Sequence, residues 1–235
     1  MPREAAPAPD RPLAGRGLTR KQERQLAALL DLLESDEHAP TSVRDATRAA
    51  RMHLADSLSA LDLEPVRAAD QIADLGSGAG FPGLALAVAL PRAHVSLVES
   101  QRRRCEFLER MCVAAGVRNG RVVCARAEQW HEGLARNDVV VARALAPQPV
   151  VLEYAAPLLR LGGSLVDWRG RRVPPEEDAA ARAAAELGLR RVEIRRVLPF
   201  AGARDHHLHL FEKVGETPER FPRRAGMARK RPLGG

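Results

Sequence analysis

The sequence is poor in aromatic residues and in long apolar runs. Two Trp, one Tyr and five Phe are its only aromatic residues, so a core must be built mainly from Ala, Leu and Val. No apolar stretch is long enough to cross a bilayer, and residues 1–17 lack the apolar centre of a signal peptide. We therefore expect a cytoplasmic protein without membrane contact. We also expect a monomer.

Cysteine is equally scarce. Cys105, Cys112 and Cys124 form no Cys-x-x-Cys pair, and no histidine follows them at zinc-ligand spacing. We expect three buried thiols in a reducing compartment, and no metal site. The histidines of residues 206–209 alternate in a strand-like segment without a spaced acidic or thiol partner, so we interpret them as ordinary strand residues.

The 235 residues, 45% of them apolar, suffice for one sizeable α/β domain with short additions. The composition and patterning predict four parts: a disordered segment 1–17, a helical cap 18–66, a main domain 67–213 and a basic C-terminal tail 214–235.

Apolar periodicity predicts alternating strands and helices in the main domain. Predicted strands are 71–75, 94–98, 121–125, 138–142, 164–168, 190–197 and 206–213. Predicted helices are 19–33, from 45 or 47 to 61, 81–90, 101–115, 127–134, 149–160 and 175–187. Alternation that ends in a strand pair indicates a largely parallel, Rossmann-like sheet with helices on both faces and one antiparallel strand.

A glycine-rich turn follows the first predicted strand. Asp74 precedes a Gly-x-Gly-x-Gly run of Gly76, Gly78 and Gly80. A dinucleotide site would need glycine where Phe81 stands, and a phosphate-binding P-loop would need Gly-Lys-Ser/Thr. The turn favours an adenosine-type cofactor without a pyrophosphate, S-adenosylmethionine above all. We expect the space over the turn to be bare, so that a ligand can reach the backbone.

Carboxylates end two of the neighbouring strands. Glu99 ends the second strand, where it can accept hydrogen bonds from both ribose hydroxyls or lie on the surface. Ala127 and Glu128 follow the third strand, where they face the adenine; Glu128 could instead stabilise the start of a helix.

Arginines end the next two strands. Arg143 follows a valine-rich strand, so we expect it to point into the ligand crevice, or to form a salt bridge at the strand edge. Arg169 follows Trp168 and could hold a substrate phosphate, while Trp168 stacks on a base or is simply buried. This region lacks the Asn/Asp-Pro-Pro-aromatic motif of exocyclic-amine methyltransferases, which argues against an amino-group acceptor.

The formal charge of +7 is concentrated at the end of the chain. Residues 213–235 contain seven Lys and Arg against two Glu. Such a cluster suits a phosphate backbone, and it equally suits a solubilising tail.

Six ordered motifs together resemble one family. They are Thr-Ser-Val-Arg-Asp at 41–45, His-x-x-Asp-Ser-Leu at 53–58, the glycine turn at 74–84, Val-Glu-Ser with Arg-Arg-x-x-Phe-Leu at 98–108, Ala-Arg-Ala-Glu at 125–128 and Ala-Arg-Ala at 142–144. This set resembles the RsmG/GidB family of small-subunit rRNA guanine-N7 methyltransferases. Residues 221–226 also resemble the Tyr-Pro-Arg-Lys-x-Gly tail of many members.

The resemblance implies a class I methyltransferase fold with a short helical cap, and methyl transfer from S-adenosylmethionine to a guanine N7 in the 530 loop of 16S rRNA. With the residue reasoning above, it gives as cofactor-binding candidates Asp74, Gly76, Gly78, Gly80, Phe81, Glu99, Ala127, Glu128 and Arg143. The candidate RNA-binding residues are Arg44, His53, Arg126, Arg143 and Arg169.

Two departures from the family pattern concern the RNA target. Residues 34–40 replace the usual Trp-Asn-x-x-x-Asn-Leu, and Arg169-Gly170 replaces Lys-Gly. A paralogue acting on another RNA or on a small molecule, a nicotinamide-dependent oxidoreductase and a non-catalytic RNA-binding protein remain alternatives. Guanine N7 carries no proton, so we expect positioning residues and no chemical catalyst.

Overall fold

The computed structural model describes residues 16–35 and 46–234. The predicted disordered segment falls almost entirely outside these ranges, as do Arg44 and the Thr-Ser-Val-Arg-Asp motif. No helix within the described ranges is long and apolar enough to cross a membrane.

The described residues form one seven-stranded sheet. The strands are β1 Gln71–Leu75, β2 His94–Glu99, β3 Gly120–Cys124, β4 Asn137–Arg143, β5 Leu159–Arg169, β6 Leu189–Arg196 and β7 His207–Lys213. Their order is β3-β2-β1-β4-β5-β7-β6, and β7 runs antiparallel to both neighbours. The predicted sheet is therefore confirmed. Its order reverses beside β1, so the crevice at the carboxyl ends of β1 and β4 is the expected ligand site.

Helices cover both faces of this sheet. They are α1 Arg20–Ser35, α2 Ala46–Leu58, α3 Glu64–Arg67, α4 Gly83–Ala89, α5 Arg102–Ala114, α6 Gln148–Ala155, α7 Pro174–Glu186 and α8 Met227–Lys230. One core lies under α1, α2, α4 and α5, and the other under α6, α7 and α8. Val139 and Val140 of β4 are both fully buried because neighbouring residues serve opposite faces.

The predicted capping box of α1 is confirmed. The Thr19 N–H donates to Gln22 Oε1 over 2.8 Å, and the Gln22 N–H donates to Thr19 Oγ1 over 3.3 Å. The Gln22 side chain also donates to the carbonyls of Val88 and Ala89 at the end of α4. The cap helix is thus tied to the main domain by polar contacts as well as by its buried leucines.

One predicted helix end and one predicted helix are wrong. Helix α6 ends at Ala155, and the predicted stretch to residue 160 runs into β5, because Leu159 already pairs with Asn137 of β4. The predicted helix 127–134 is instead a pair of 3-10 turns at Ala127–Gln129 and His131–Gly133.

The prediction of three free thiols is also wrong. Cys105 and Cys124 form a disulfide across 19 residues, and Cys112 remains free and half-buried. The parallel register pairs Glu99 with Cys124, which places the end of β3 beside the first turns of α5, where Cys105 lies. That proximity depends on the strand order, so spacing along the chain could not reveal it.

Candidate cofactor and substrate site

The glycine turn joins the end of β1 to β2 and α4. The N–H groups of Gly76 and Ser77 both donate to the Val98 carbonyl, over 2.8 and 3.2 Å. Gly76, Gly78 and Gly80 have φ angles of 69°, 53° and 95°, in the left-handed region that favours glycine. The three predicted glycines are therefore required by the backbone of the turn.

Asp74 lies beneath this turn rather than on it. Its Oδ2 accepts the Gly83 N–H over 3.0 Å, which fixes the start of α4, and its carbonyl accepts the Ser77 hydroxyl. Burial raises the pKa of the Asp74 carboxyl to about 6. Phe81 is likewise buried, in the core beside α4. Both residues shape the turn from below.

Glu99 faces the turn from the end of β2. Its Oε2 accepts the Gly78 N–H over 3.1 Å, and its Oε1 accepts the N–H groups of Ser100 and Gln101 over 2.7 and 2.9 Å. Arg104 lies 3.9 Å away. An ionised carboxylate has about four acceptor positions. Three of these positions are taken, so Glu99 retains about one, on Oε2, for a hydroxyl of a ribose placed against Gly78.

A narrow slot of about 70 Å³ lies beside the turn. It is lined by Gly76, Val98, Ser100, Ala125, Arg126, Ala127, Glu128, Leu145, Tyr154 and Arg229. A buried water needs a cavity volume of about 10–15 Å³, so the slot has room for a few waters or one flat ring. Ala127 and Glu128, which we predicted to face the adenine, both line this slot. Arg126, predicted to bind RNA, lies exposed beside them.

The prediction of bare space over the whole turn is wrong. A Cβ at Gly76 would stand 2.6 Å from Leu145 Cδ1, so the Leu145 side chain packs on that glycine. A Cβ at Gly78 would contact only the Gly76 carbonyl oxygen, at 3.6 Å. The approach to the backbone is therefore at Gly78, next to Glu99. A ring-sized slot, an open glycine and a buried carboxylate together fit the adenosine part of S-adenosylmethionine.

Arg143 anchors the cap to the end of β4. Its Nη1 donates to Asp56 Oδ2 and Ser57 Oγ over 3.1 Å each, and to the His53 carbonyl over 3.0 Å. Loss of solvent and the Arg143 cation lower the pKa of His53. Both interpretations of Arg143 therefore hold at once, because the guanidinium lies at the crevice and is also ion-paired.

Arg143 lines a second, larger cavity rather than the slot. This cavity has a volume of about 420 Å³, within the range of ligand pockets. It is lined by His53, Asp56, Arg143, Ala144, Gln148, Trp168, Arg169, Gly170, Arg171, Arg172, Val173, Glu176, Glu177, Asp205, His206 and His209. The predicted residues His53, Arg143 and Arg169 meet here. Arg169 donates to the Ala146 carbonyl over 2.9 Å.

Sequence reasoning missed two polar groups in the wall of this cavity. Asp56 accepts from Arg143, lies 3.1 Å from the His206 ring nitrogen, and accepts the Trp168 indole N–H on its carbonyl. Gln148 bridges Asp167 and His209, over 2.9 and 3.1 Å. The His-x-x-Asp-Ser spacing was a signal for Asp56. The Gln148 bridge joins three distant elements and left no local signal.

Burial controls the charges in the Gln148 bridge. It raises the pKa of Asp167 to about 7 and lowers the pKa of His209 to about 4. His209 Nε2 has no hydrogen-bond partner among the described residues. No group of three or more His, Cys, Asp or Glu side chains within residues 16–35 and 46–234 could hold a metal ion. His207 Nδ1 lies 2.9 Å from the Gly170 carbonyl and His206 Nδ1 lies 3.1 Å from Asp56 Oδ1, so both rings contact other protein groups.

Comparison with known proteins identifies this architecture. The GidB family model, described as rRNA small subunit methyltransferase G, matches residues 22–205. A relative from Rubrobacter xylanophilus, named Ribosomal RNA small subunit methyltransferase G, is 41% identical over 78% of this chain and 72% of its own length. A protein of the same name from Syntrophomonas wolfei is 38% identical over 85% of this chain and 94% of its own length.

Solved structures show the same fold. A SAM-dependent methyltransferase from Aquifex aeolicus superposes with a TM-score of 0.58 at 16% identity, over 70% of this chain and 93% of its own. This likeness bears on the fold alone, and the family matches go further. The chain belongs to the GidB family, the rRNA small subunit methyltransferase G proteins.

Proposed function

We propose that the protein transfers the methyl group of S-adenosylmethionine to N7 of a guanine in the 530 loop of 16S rRNA. As a GidB-family member it is an S-adenosylmethionine-dependent methyltransferase of small-subunit rRNA. The acceptor atom and the loop are the proposal. They rest on the resemblance of the ordered motifs, whereas the geometry of the two cavities supports methyl transfer to a nucleotide base in general.

The observation that carries the proposal is the adjacency of the slot and the larger cavity. Ala144 lines the larger cavity and the next residue, Leu145, lines the slot. Ala144 has a φ of 53°, so the chain turns sharply between the two spaces. A cofactor in the slot and a base in the cavity would therefore meet at the carboxyl ends of β1 and β4.

The larger cavity offers cationic and aromatic contacts to an extruded nucleotide, although its lining also includes the carboxylates of Asp56, Glu176, Glu177 and Asp205. Arg143 and Arg169 supply cations at its inner wall, and Arg171 and Arg172 are exposed at its edge. Trp168 gives it an aromatic wall, and flipped bases are commonly held by stacking and by edge hydrogen bonds. His53 and Arg126 remain candidates for RNA contact, and so does Arg44, which lies outside the described residues.

The reaction requires positioning more than proton transfer. When bound, S-adenosylmethionine supplies an electrophilic methyl group on a positively charged sulfur. Guanine N7 has an in-plane lone pair and no proton to lose, so no side chain has to act as a base. The arginines bind and orient the RNA, and Glu99 and Glu128 hold the adenosine, which brings the reacting atoms together. We assign no catalytic acid or base.

We further propose that the protein acts as a cytoplasmic monomer, with residues 18–66 as the cap and residues 67–213 as the catalytic domain. The cap contacts α4 and α5 and contributes His53 and Asp56 to the wall of the larger cavity, which supports a role for it in RNA binding.

A transfer assay with radiolabelled S-adenosylmethionine tests the function. Small subunits, naked 16S rRNA, 23S rRNA and a nucleoside mixture are compared as acceptors. Each is prepared from cells whose 16S rRNA lacks the proposed N7-methyl group. We expect label in 16S rRNA or the small subunit only. Label confined to 23S rRNA or to nucleosides would instead favour a diverged paralogue or a small-molecule enzyme.

A further inference from the structure

The C-terminal segment, residues 217–234, packs against the main domain. Phe221 and Ala228 are buried in the core beneath α6 and α7. The Arg223 guanidinium pairs with the Glu153 carboxylate, with 2.7 Å between Nε and Oε1 and a second contact from Nη2 to Oε2. Because Glu153 is 1% exposed, this ion pair ties the segment firmly to α6.

This docking bears on the basic tail, which was predicted either to bind a phosphate backbone or to be solubilising. Arg223 and Arg220 are paired with Glu153 and Glu186. The exposed cations that remain near the end of the segment, such as Arg224, could still meet RNA. The segment as a whole has a fixed place beside the slot.

Two hydrogen bonds connect the segment to the slot itself. The Gly226 N–H donates to Glu128 Oε1 over 2.9 Å, and Arg229 Nη2 donates to the Leu145 carbonyl over 2.8 Å. Glu128 is buried, so a charge-assisted bond to one of its oxygens fixes the orientation of the other. The segment thereby holds both the predicted adenine-reading carboxylate and the loop that carries Leu145.

Arg229 and Tyr154 form one side of the slot. Burial, followed by the charge of Glu128, raises the pKa of the Tyr154 phenol, and Arg229 hydrogen-bonds to it. A neutral phenol ring and a planar guanidinium are surfaces on which a flat heterocycle stacks well. Tyr154 lies in α6 and Arg229 in α8, away from the strand ends at which the sequence predicted the site.

We propose that the docked C-terminal segment is the outer wall of the adenine pocket, with Arg229 and Tyr154 against the ring and Gly226 orienting Glu128. The proposal rests on the proposed function only in taking S-adenosylmethionine as the cofactor, and it is independent of the RNA target. The segment should favour cofactor binding and not block it. About 70 Å³ stays open with the segment in place, so the segment bounds the slot instead of filling it.

Calorimetry with S-adenosylmethionine, without RNA, tests the proposal on the full chain. Arg229→Ala removes the wall and the bond to Leu145, and we expect the Kd to rise about fivefold or more, with partial rescue by Arg229→Lys. Lys230→Ala, one residue along the same exposed turn, is the matched control and should leave the Kd within about twofold of the wild-type value. An unchanged or lower Kd for Arg229→Ala would overturn the proposal.

A second measurement separates a wall from a merely structural contact. The thermal midpoint of the cofactor-free Arg229→Ala variant should fall only by the small amount that the lost bond to Leu145 costs, while the increase caused by S-adenosylmethionine should be clearly smaller than in wild type. In the wild-type chain, the cofactor should slow hydrogen exchange at the Gly226 amide and across α8. Hydrogen exchange at the Gly226 amide and across α8 that is equally fast with and without the cofactor would contradict the proposal, even if the variant failed to fold. Because no RNA is present, a protein that binds the cofactor but methylates another target would leave this inference intact.

Discussion

The Arg143 guanidinium lies 3.1 Å from the Asp56 carboxylate and so joins the carboxyl end of β4 to the helical cap. Asp56 is 6% exposed, and its second oxygen faces His206 at 3.1 Å. The same contact forms part of the wall of the larger cavity. One ion pair therefore contributes both to the attachment of the cap and to the wall of the larger cavity.

Loss of this pair should destabilise the fold. Arg143→Ala leaves a buried carboxylate without its cation, so we expect the free energy of unfolding to fall by about 2–4 kcal/mol, measured by urea denaturation. Arg160→Ala is the matched control, because its partner Asp138 lies near the surface, and it should cost less than about 1 kcal/mol. An equal decrease in the free energy of unfolding for the two variants would show that the Arg143 pair stabilises the fold no more than a surface pair does.

The Glu99 carboxylate should determine cofactor affinity. Glu99→Gln keeps the shape but turns an acceptor into an amide that faces N–H groups, so the Kd for S-adenosylmethionine should rise about tenfold. Glu106→Gln removes an exposed carboxylate one helix turn from its Arg102 partner and serves as the control. Calorimetry measures both values. A Kd for Glu99→Gln equal to that of wild type would show that Glu99 does not bind the ribose.

Gly83 should tolerate no side chain. A Cβ there would stand 2.5 Å from both Asp74 Oδ2 and Leu97 Cδ2. Gly83→Ala should therefore destabilise the protein by about 1–3 kcal/mol through overpacking at the start of α4. Gly215→Ala, whose Cβ would meet only the Gly188 Cα at 3.8 Å, is the control. The hypothesis fails if thermal denaturation finds the two variants equally stable.

Asp167 should give stability a distinctive pH dependence. Its pKa in the folded state, about 7, lies above the ordinary value of 3.8 because of burial, so the folded chain binds the proton more tightly. The stability that this group contributes is therefore present below pH 4 and is lost as the pH rises through about 7.

Asp167→Asn removes this titration and keeps the shape. From about pH 5 to pH 8, we expect wild type to lose stability relative to the variant by on the order of 2 kcal/mol. His209, whose pKa is lowered to about 4, acts in the opposite direction and is common to both proteins, so it cancels in the difference. Urea denaturation at both pH values measures the effect, and a constant difference would contradict it.

The Cys105–Cys124 disulfide should stabilise protein purified without reductant. It closes a stretch of 19 residues, so Cys124→Ser should cost about 3 kcal/mol. Cys112→Ser is the control, because burial raises the pKa of that thiol to about 11 and leaves it inert. Intact mass after alkylation counts the free thiols. Three alkylated cysteines in protein that is denatured without reductant before alkylation would show that the bond does not form.

Much of the sheet and the turn could be predicted because their signals are local. The strand Gln71–Leu75 and the Thr19–Gln22 capping box follow from apolar runs and fixed spacings, and the structure confirms both. Glu99 was placed at the turn because strand ends in a parallel sheet share one edge.

The rest depends on contacts between distant parts of the chain. The packing of Leu145 on Gly76, the disulfide and the attachment of Arg229 beside the slot each join segments whose proximity only the folded topology determines. The tail showed the limit most clearly. Its charge was visible in the sequence, but the buried Glu153 that pairs with Arg223 could not be chosen among the many acidic residues.

Mapping N7-methylguanine in 16S rRNA tests the central claim most directly. Small subunits from cells whose 16S rRNA lacks the methyl group are incubated with S-adenosylmethionine and the protein, and borohydride–aniline cleavage then locates N7-methylguanine by primer extension. The account predicts one new stop, in the 530 loop, that requires both protein and cofactor. Methyl transfer to any other atom or loop, or no transfer by a protein that binds the cofactor, would contradict it.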